Sequence, residues 1–104
     1  MSQYKLNVKT RSGFHIKPCS EIAHLTRKLE HQYLGLTIQL YYLKENKKTK
    51  DDRTIKANAS SLIDILKMAI RKGESIEVIV SGDYSIDILR ECALDIGYIL
   101  ETRF

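Results

Sequence analysis

His15 stands between a glycine-bearing turn and a helix start, in Gly13-Phe14-His15-Ile16-Lys17-Pro18. The first amides of a helix lack intrahelical acceptors and sit at the positive end of its dipole, so they attract an anion. A phosphate carried on an imidazole at the helix N-cap would be held by those N–H groups, and Lys17 adds a cation beside it. Gly13 permits the tight turn that brings backbone close to the phosphate. Pro18 fixes the entry geometry of the helix without wasting an amide. An imidazole whose pKa lies near neutrality keeps a nitrogen lone pair free to attack phosphorus. Taken alone, however, a single exposed histidine more often caps a helix or faces solvent, so both readings stay open on these residues.

The remaining reactive side chains are less suggestive. His15 and Cys19 lie at i and i+4, but no further ligand of suitable spacing is visible, so no metal is expected. His24 and His31 belong on a helix surface or loop, at spacings unsuited to a metal pair. Cys19 and Cys92 are far apart and form no C-x-x-C pair, which makes them reduced packing residues. Ser61 precedes an apolar helical run, with Asp64 three residues on in a capping-box-like spacing.

These residues must be positioned by short elements. Tyr4, Leu6 and Val8 alternate with polar neighbours and predict a strand over about 3–10. Ile22, Leu25 and Leu29 line one face of a helix that starts close to His15. Leu36, Ile38, Leu40 and Tyr42 form a second strand, which runs into a charged loop and returns as a third strand over Thr54 to Ala59. A second helix is predicted over about 61–71, stopping at Gly73. Ile76, Val78 and Val80 make a fourth strand. The last helix opens after Ser85 and buries Ile88, Leu89, Cys92, Ala93, Ile96, Ile99 and Leu100. The order βαββαβα indicates an α+β two-layer domain, with three helices on one side of a four-stranded sheet and the other side open.

At 104 residues, the chain has the size of one domain, and its 43% hydrophobic and 29% charged residues exclude collagen-like and disordered classes. No apolar run is long enough to cross a bilayer and no secretory signal is visible, so a cytoplasmic protein is expected. Of the net charge of +4, the segment 44–56 carries +3, from Lys44, Lys47, Lys48, Lys50, Arg53 and Lys56 against Glu45, Asp51 and Asp52. With Tyr41 and Tyr42 alongside, this loop offers a remote nucleic-acid reading, but a solvated hairpin tip explains it more economically.

Gly-Phe-His-Ile-Lys-Pro at 13–18 resembles the active-site signature of HPr, the histidine-containing phosphocarrier family of the bacterial phosphoenolpyruvate:sugar phosphotransferase system. Ser61-Leu62-Ile63-Asp64-Ile65-Leu66 through Lys72-Gly73 resembles the second-helix segment of the same family. The resemblance extends over nearly the whole chain. It implies an open-faced βαββαβα sandwich with an antiparallel sheet. It also implies that the ring Nδ1 of His15 accepts a phosphoryl group from Enzyme I, that Lys17 contacts the phosphate, and that no cofactor is needed. Onward transfer would go to sugar-specific acceptor domains. The resemblance places partner contacts at Leu62, Ile63 and Leu66, and aligns Ser61 with a serine that HPr kinase/phosphorylase modifies in some bacteria. A monomer that binds neither membrane nor nucleic acid is expected. The alternative is an HPr-like protein that signals nutrient state through His15 or Ser61 without sugar transport. Three departures stand out: lysine where the family usually has arginine at position 17, a longer region before Ser61, and Asp64 where glycine is common.

Overall fold

Alternation along the strands and 3.6-residue periodicity along the helices place most of the large aliphatic side chains on facing surfaces, and the fold is the way those surfaces meet. A computed structural model describes residues 2–10, 16–46, 51–70 and 73–102. The elements are β1 (Ser2–Lys9), α1 (Ile16–Gln32), β2 (Thr37–Asn46), β3 (Asp51–Asn58), α2 (Leu62–Lys67), β4 (Ser75–Gly82) and α3 (Ile86–Thr102). All strand pairs are antiparallel, in the order β1-β4-β2-β3. The expected α+β sandwich is therefore the one observed.

The core lies between this sheet and the helices. Val8, Ile38, Leu40, Ile76, Val78 and Val80 from the sheet meet Ile22, Ile65, Leu89 and Ile96 from the helices, all essentially without solvent contact. At roughly 1.5–3 kcal/mol per fully buried large aliphatic side chain, this interface is the main stabilising term. α3 comes closest to β1 at Gly97, where a Cβ would lie 2.9 Å from Leu6 Cδ2 and 3.3 Å from Val8 Cγ2, so this contact needs glycine.

The far face of the sheet presents Gln3, Lys5, Asn7, Thr37, Lys56 and Asn58 to solvent. Ile79 is the exception on that face. It is only 6% exposed because it sits in the central strand, paired in register with Lys5 on one side and Gln39 on the other.

Two expectations need correction. The segment 44–56 is mostly strand and not loop. β2 runs to Asn46 and β3 starts at Asp51, so the hairpin is longer than the predicted Thr54–Ala59 return. β4 pairs with β2 only over Thr37–Tyr41, and beyond that β2 and β3 continue as a two-stranded ribbon.

The second correction concerns α2, which ends at Lys67 and not near 71. Met68 caps it, and Ala69 turns into the left-handed region at φ 50°, which stops the helix without glycine or proline. Ile70 then drops into the core at 4% exposure. Gly73, with φ 79°, lies beyond the helix. Its N–H donates to the Thr10 carbonyl at 3.0 Å, and the Thr10 N–H donates to the Glu74 carbonyl at 2.9 Å, tying the start of β4 to the end of β1.

Candidate phosphorylation site and docking helices

α1 begins at Ile16, directly after the glycine–histidine segment, as the sequence predicts. Gly13 and His15 themselves lie outside the described residues. The first turn of a helix leaves its N–H groups without intrahelical partners, and Pro18 has none to leave, so the amides of Ile16 and Lys17 have no acceptor within α1. No acidic residue occupies that turn, so none of its side chains competes with a bound anion for these amides. Pro18 is buried and anchors the turn to the core, while Lys17 is exposed. An anchored turn that presents amides and an ammonium group to solvent can hold a phosphoryl group at its N-terminal end.

The outward face of α1 continues from this turn. Ile16, Lys17, Ser20, Glu21, His24 and Arg27 line an open groove along it, opposite the buried stripe of Cys19, Ile22, Ala23, Thr26 and Leu29. Arg27 Nε donates to the Ala23 carbonyl at 3.2 Å, which steadies the far end of that face. Ile16, 68% exposed, was not singled out from the sequence, although its i, i+4, i+8 relation to Ser20 and His24 defines this face. His24 and His31 are exposed on α1, as expected. Cys19 and Cys92 are free and buried. Burial pushes the Cys19 thiol up to about 11, and burial, assisted by Asp95 and Glu91, raises that of Cys92. Both remain protonated packing groups at neutral pH. Among the described residues no cluster of side chains could hold a metal ion.

α2 packs beside α1. Ser61 is its N-cap, in extended conformation, and its Oγ accepts from the Asp64 N–H at 3.3 Å. Only half of the capping box is present, because the Ser61 N–H donates to the Asn58 carbonyl at 3.0 Å and Asp64 has no donor to receive there. Asn58 also accepts from Ser60 through both N–H and Oγ, which shapes the turn into the helix. Of the three apolar residues assigned to partner contact, Ile63 is 64% exposed, whereas Leu62 and Leu66 are half-buried against the core. The structure thus brings an exposed isoleucine from each of two adjoining helices to the surface, with Lys17 next to one and Ser61 close to the other.

The family model for the PTS HPr component phosphorylation site matches residues 2–93. The chain belongs to the HPr family. Its role is therefore that of a phosphocarrier in the phosphotransferase system, a protein that carries a phosphohistidine intermediate and is not itself a catalytic enzyme. The fold agrees. HPr-C-His from Thermoanaerobacter tengcongensis superposes with a TM-score of 0.55 at 19% identity, covering 94% of this chain and 92% of that one. The histidine-containing phosphocarrier protein of Mycoplasma gives a TM-score of 0.50 at 19% identity, covering 97% and 99%. No curated protein sequence matches. Membership of the HPr family implies partners in general terms, the components of the phosphotransferase system. Among the described residues no helix is long and apolar enough to cross a membrane.

Proposed function

We propose that His15 accepts a phosphoryl group from Enzyme I, itself charged by phosphoenolpyruvate, and passes it to sugar-specific acceptor domains. The observation that supports this most is the start of α1 one residue after His15, with an anchored Pro18, exposed Lys17 and no acidic group in the first turn. In the transfer, the imidazole Nδ1 lone pair forms the N–P bond as the bond from phosphorus to the donor breaks. The reverse displacement by the acceptor's nucleophile regenerates free imidazole. Helix amides and Lys17 neutralise part of the charge on the phosphoryl oxygens in both steps. Lysine provides a point charge where arginine would provide a two-pronged fork, so the phosphate is held with less geometric constraint.

Docking uses the adjoining α1 and α2 surfaces, with Ile63 as the exposed apolar contact and Leu62 and Leu66 supporting it from below. Ser61 caps α2 and doubles as a regulatory site for HPr kinase/phosphorylase. A phosphate there would sit at a helix N-terminus, which favours it, and next to an apolar contact, which does not.

The relay can be tested by mixing the protein with Enzyme I, magnesium, labelled phosphoenolpyruvate and an acceptor domain. Label should pass through this chain to the acceptor. Lys17→Arg should preserve the rate, and Lys17→Glu should slow charging by at least about tenfold, equivalent to about 1.4 kcal/mol in the barrier. Wild-type rates in the charge-reversed protein would remove Lys17 from the phosphate site.

A further inference from the structure

α3 has a second face that the fold does not use. Its inner side buries Leu89, Cys92, Ala93, Ile96, Ile99 and Leu100, yet Leu94 remains 49% and Tyr98 63% exposed at i and i+4 in the middle of the outer side. Asp87, Glu91, Asp95 and Glu101 surround this pair on the helix surface. The single cation of the helix, Arg90, is engaged by Asp87, with Nη2 2.6 Å from Oδ1. One cation against four carboxylates leaves α3 at −3, so the rest of the chain, whose total is +4, carries +7. The family match ends at residue 93, so Leu94 and Tyr98 lie beyond the part of the chain that the family model describes.

We propose that the outer face of α3 is a docking surface for a protein that presents an apolar centre rimmed by lysine and arginine. The charge selects this occupant. Anionic lipid surfaces and nucleic acids would be repelled by the four carboxylates, whereas a basic rim would meet them while its apolar centre covers Leu94 and Tyr98. Tyrosine suits the centre of such a contact, having a large apolar ring, a polar tip and few rotatable bonds to immobilise. This surface is separate from the α1 and α2 surface used for phosphoryl transfer, so a partner held on α3 can stay bound while His15 is charged and discharged.

A labelled 18-residue helical peptide with a leucine stripe flanked by lysines serves as the probe, titrated into the full chain by fluorescence anisotropy, with a leucine–glutamate peptide as its counterpart. The lysine peptide should bind, at least tenfold more weakly at 500 mM than at 50 mM salt, and the glutamate peptide should not. Amide NMR shifts on binding should fall on 86–102. Leu94→Ser with Tyr98→Ser should weaken binding at least tenfold, and Glu91→Lys with Asp95→Lys should do the same without touching the apolar pair. Both double variants should accept phosphate on His15 at the wild-type rate. Binding unaffected by both variants, shifts confined to other helices, or self-association of the protein through this face in sedimentation would each overturn the proposal.

Discussion

At the scale of single residues, the proposed chemistry rests on residue types that are unusual for their positions. A histidine placed just before a helix, followed by a cation and a first-turn proline, has few structural reasons to occur together, and α1 starts where that pattern says it should. Ala69 is the opposite case. Its left-handed φ of 50° ends α2, but alanine gives no sign of it in the sequence, whose pattern therefore predicts a helix several residues too long. For an L-residue that conformation costs roughly 1–2 kcal/mol. Ala69 is exposed and loses no packing on truncation, so Ala69→Gly should raise stability by about 1 kcal/mol, visible as a higher urea midpoint at unchanged m. Cys19 makes a second residue-level prediction. Its folded pKa of about 11 lies above the ordinary 9.0, so the folded state keeps a proton that the unfolded chain releases between those values. The associated stability is complete below about pH 9 and is lost as pH rises toward 11. In Cys19→Ala the stability deficit against wild type, measured by urea titration, should therefore shrink from pH 8 to pH 11. A constant deficit would mean that the thiol does not sense burial in this way.

At the scale of elements, period-two alternation locates β1, β4 and the start of β2, because buried and outward-facing side chains alternate along each, Ile79 apart. The outer part of the β2–β3 ribbon, before the expected return at Thr54, reads as a loop in the sequence because its charged residues mask the strand pattern, and there only cross-strand pairing between β2 and β3, invisible to local periodicity, sustains the strands. The outer apolar pair of α3 does not stand out in the sequence for a related reason: the buried stripe alone satisfies the helix, and only the packing shows that Leu94 and Tyr98 are left outside. α2, only six residues long, depends on its cap more than α1 or α3 does. Ser61→Ala should lose roughly 0.5–2 kcal/mol in thermal or urea unfolding with little change in phosphoryl transfer. Ser61→Asp retains a capping oxygen and adds charge at the positive end of the helix, so it should keep stability while raising the apparent KM for Enzyme I. An unaltered KM would leave Ser61 as a structural cap alone.

At the scale of the whole molecule, the sheet and helices bring the start of α1 to the surface and leave two different helical faces exposed. α1 and α2 offer isoleucines beside Lys17 and Ser61. α3 offers an acidic rim around Leu94 and Tyr98 on the outer side of a helix whose inner side belongs to the core. A carrier needs such separation, since its reactive group must be reached in turn by donor and acceptor through one small surface. The chain has three histidines, and His24 and His31 are exposed on the same helix that His15 introduces, so the location of the phosphate discriminates best. After charging with Enzyme I and phosphoenolpyruvate, peptide mapping by mass spectrometry should find one acid-labile, base-stable phosphate, on His15, and His15→Ala should take up none. Phosphate recovered on His24 or His31, or uptake that persists in His15→Ala, would contradict the account.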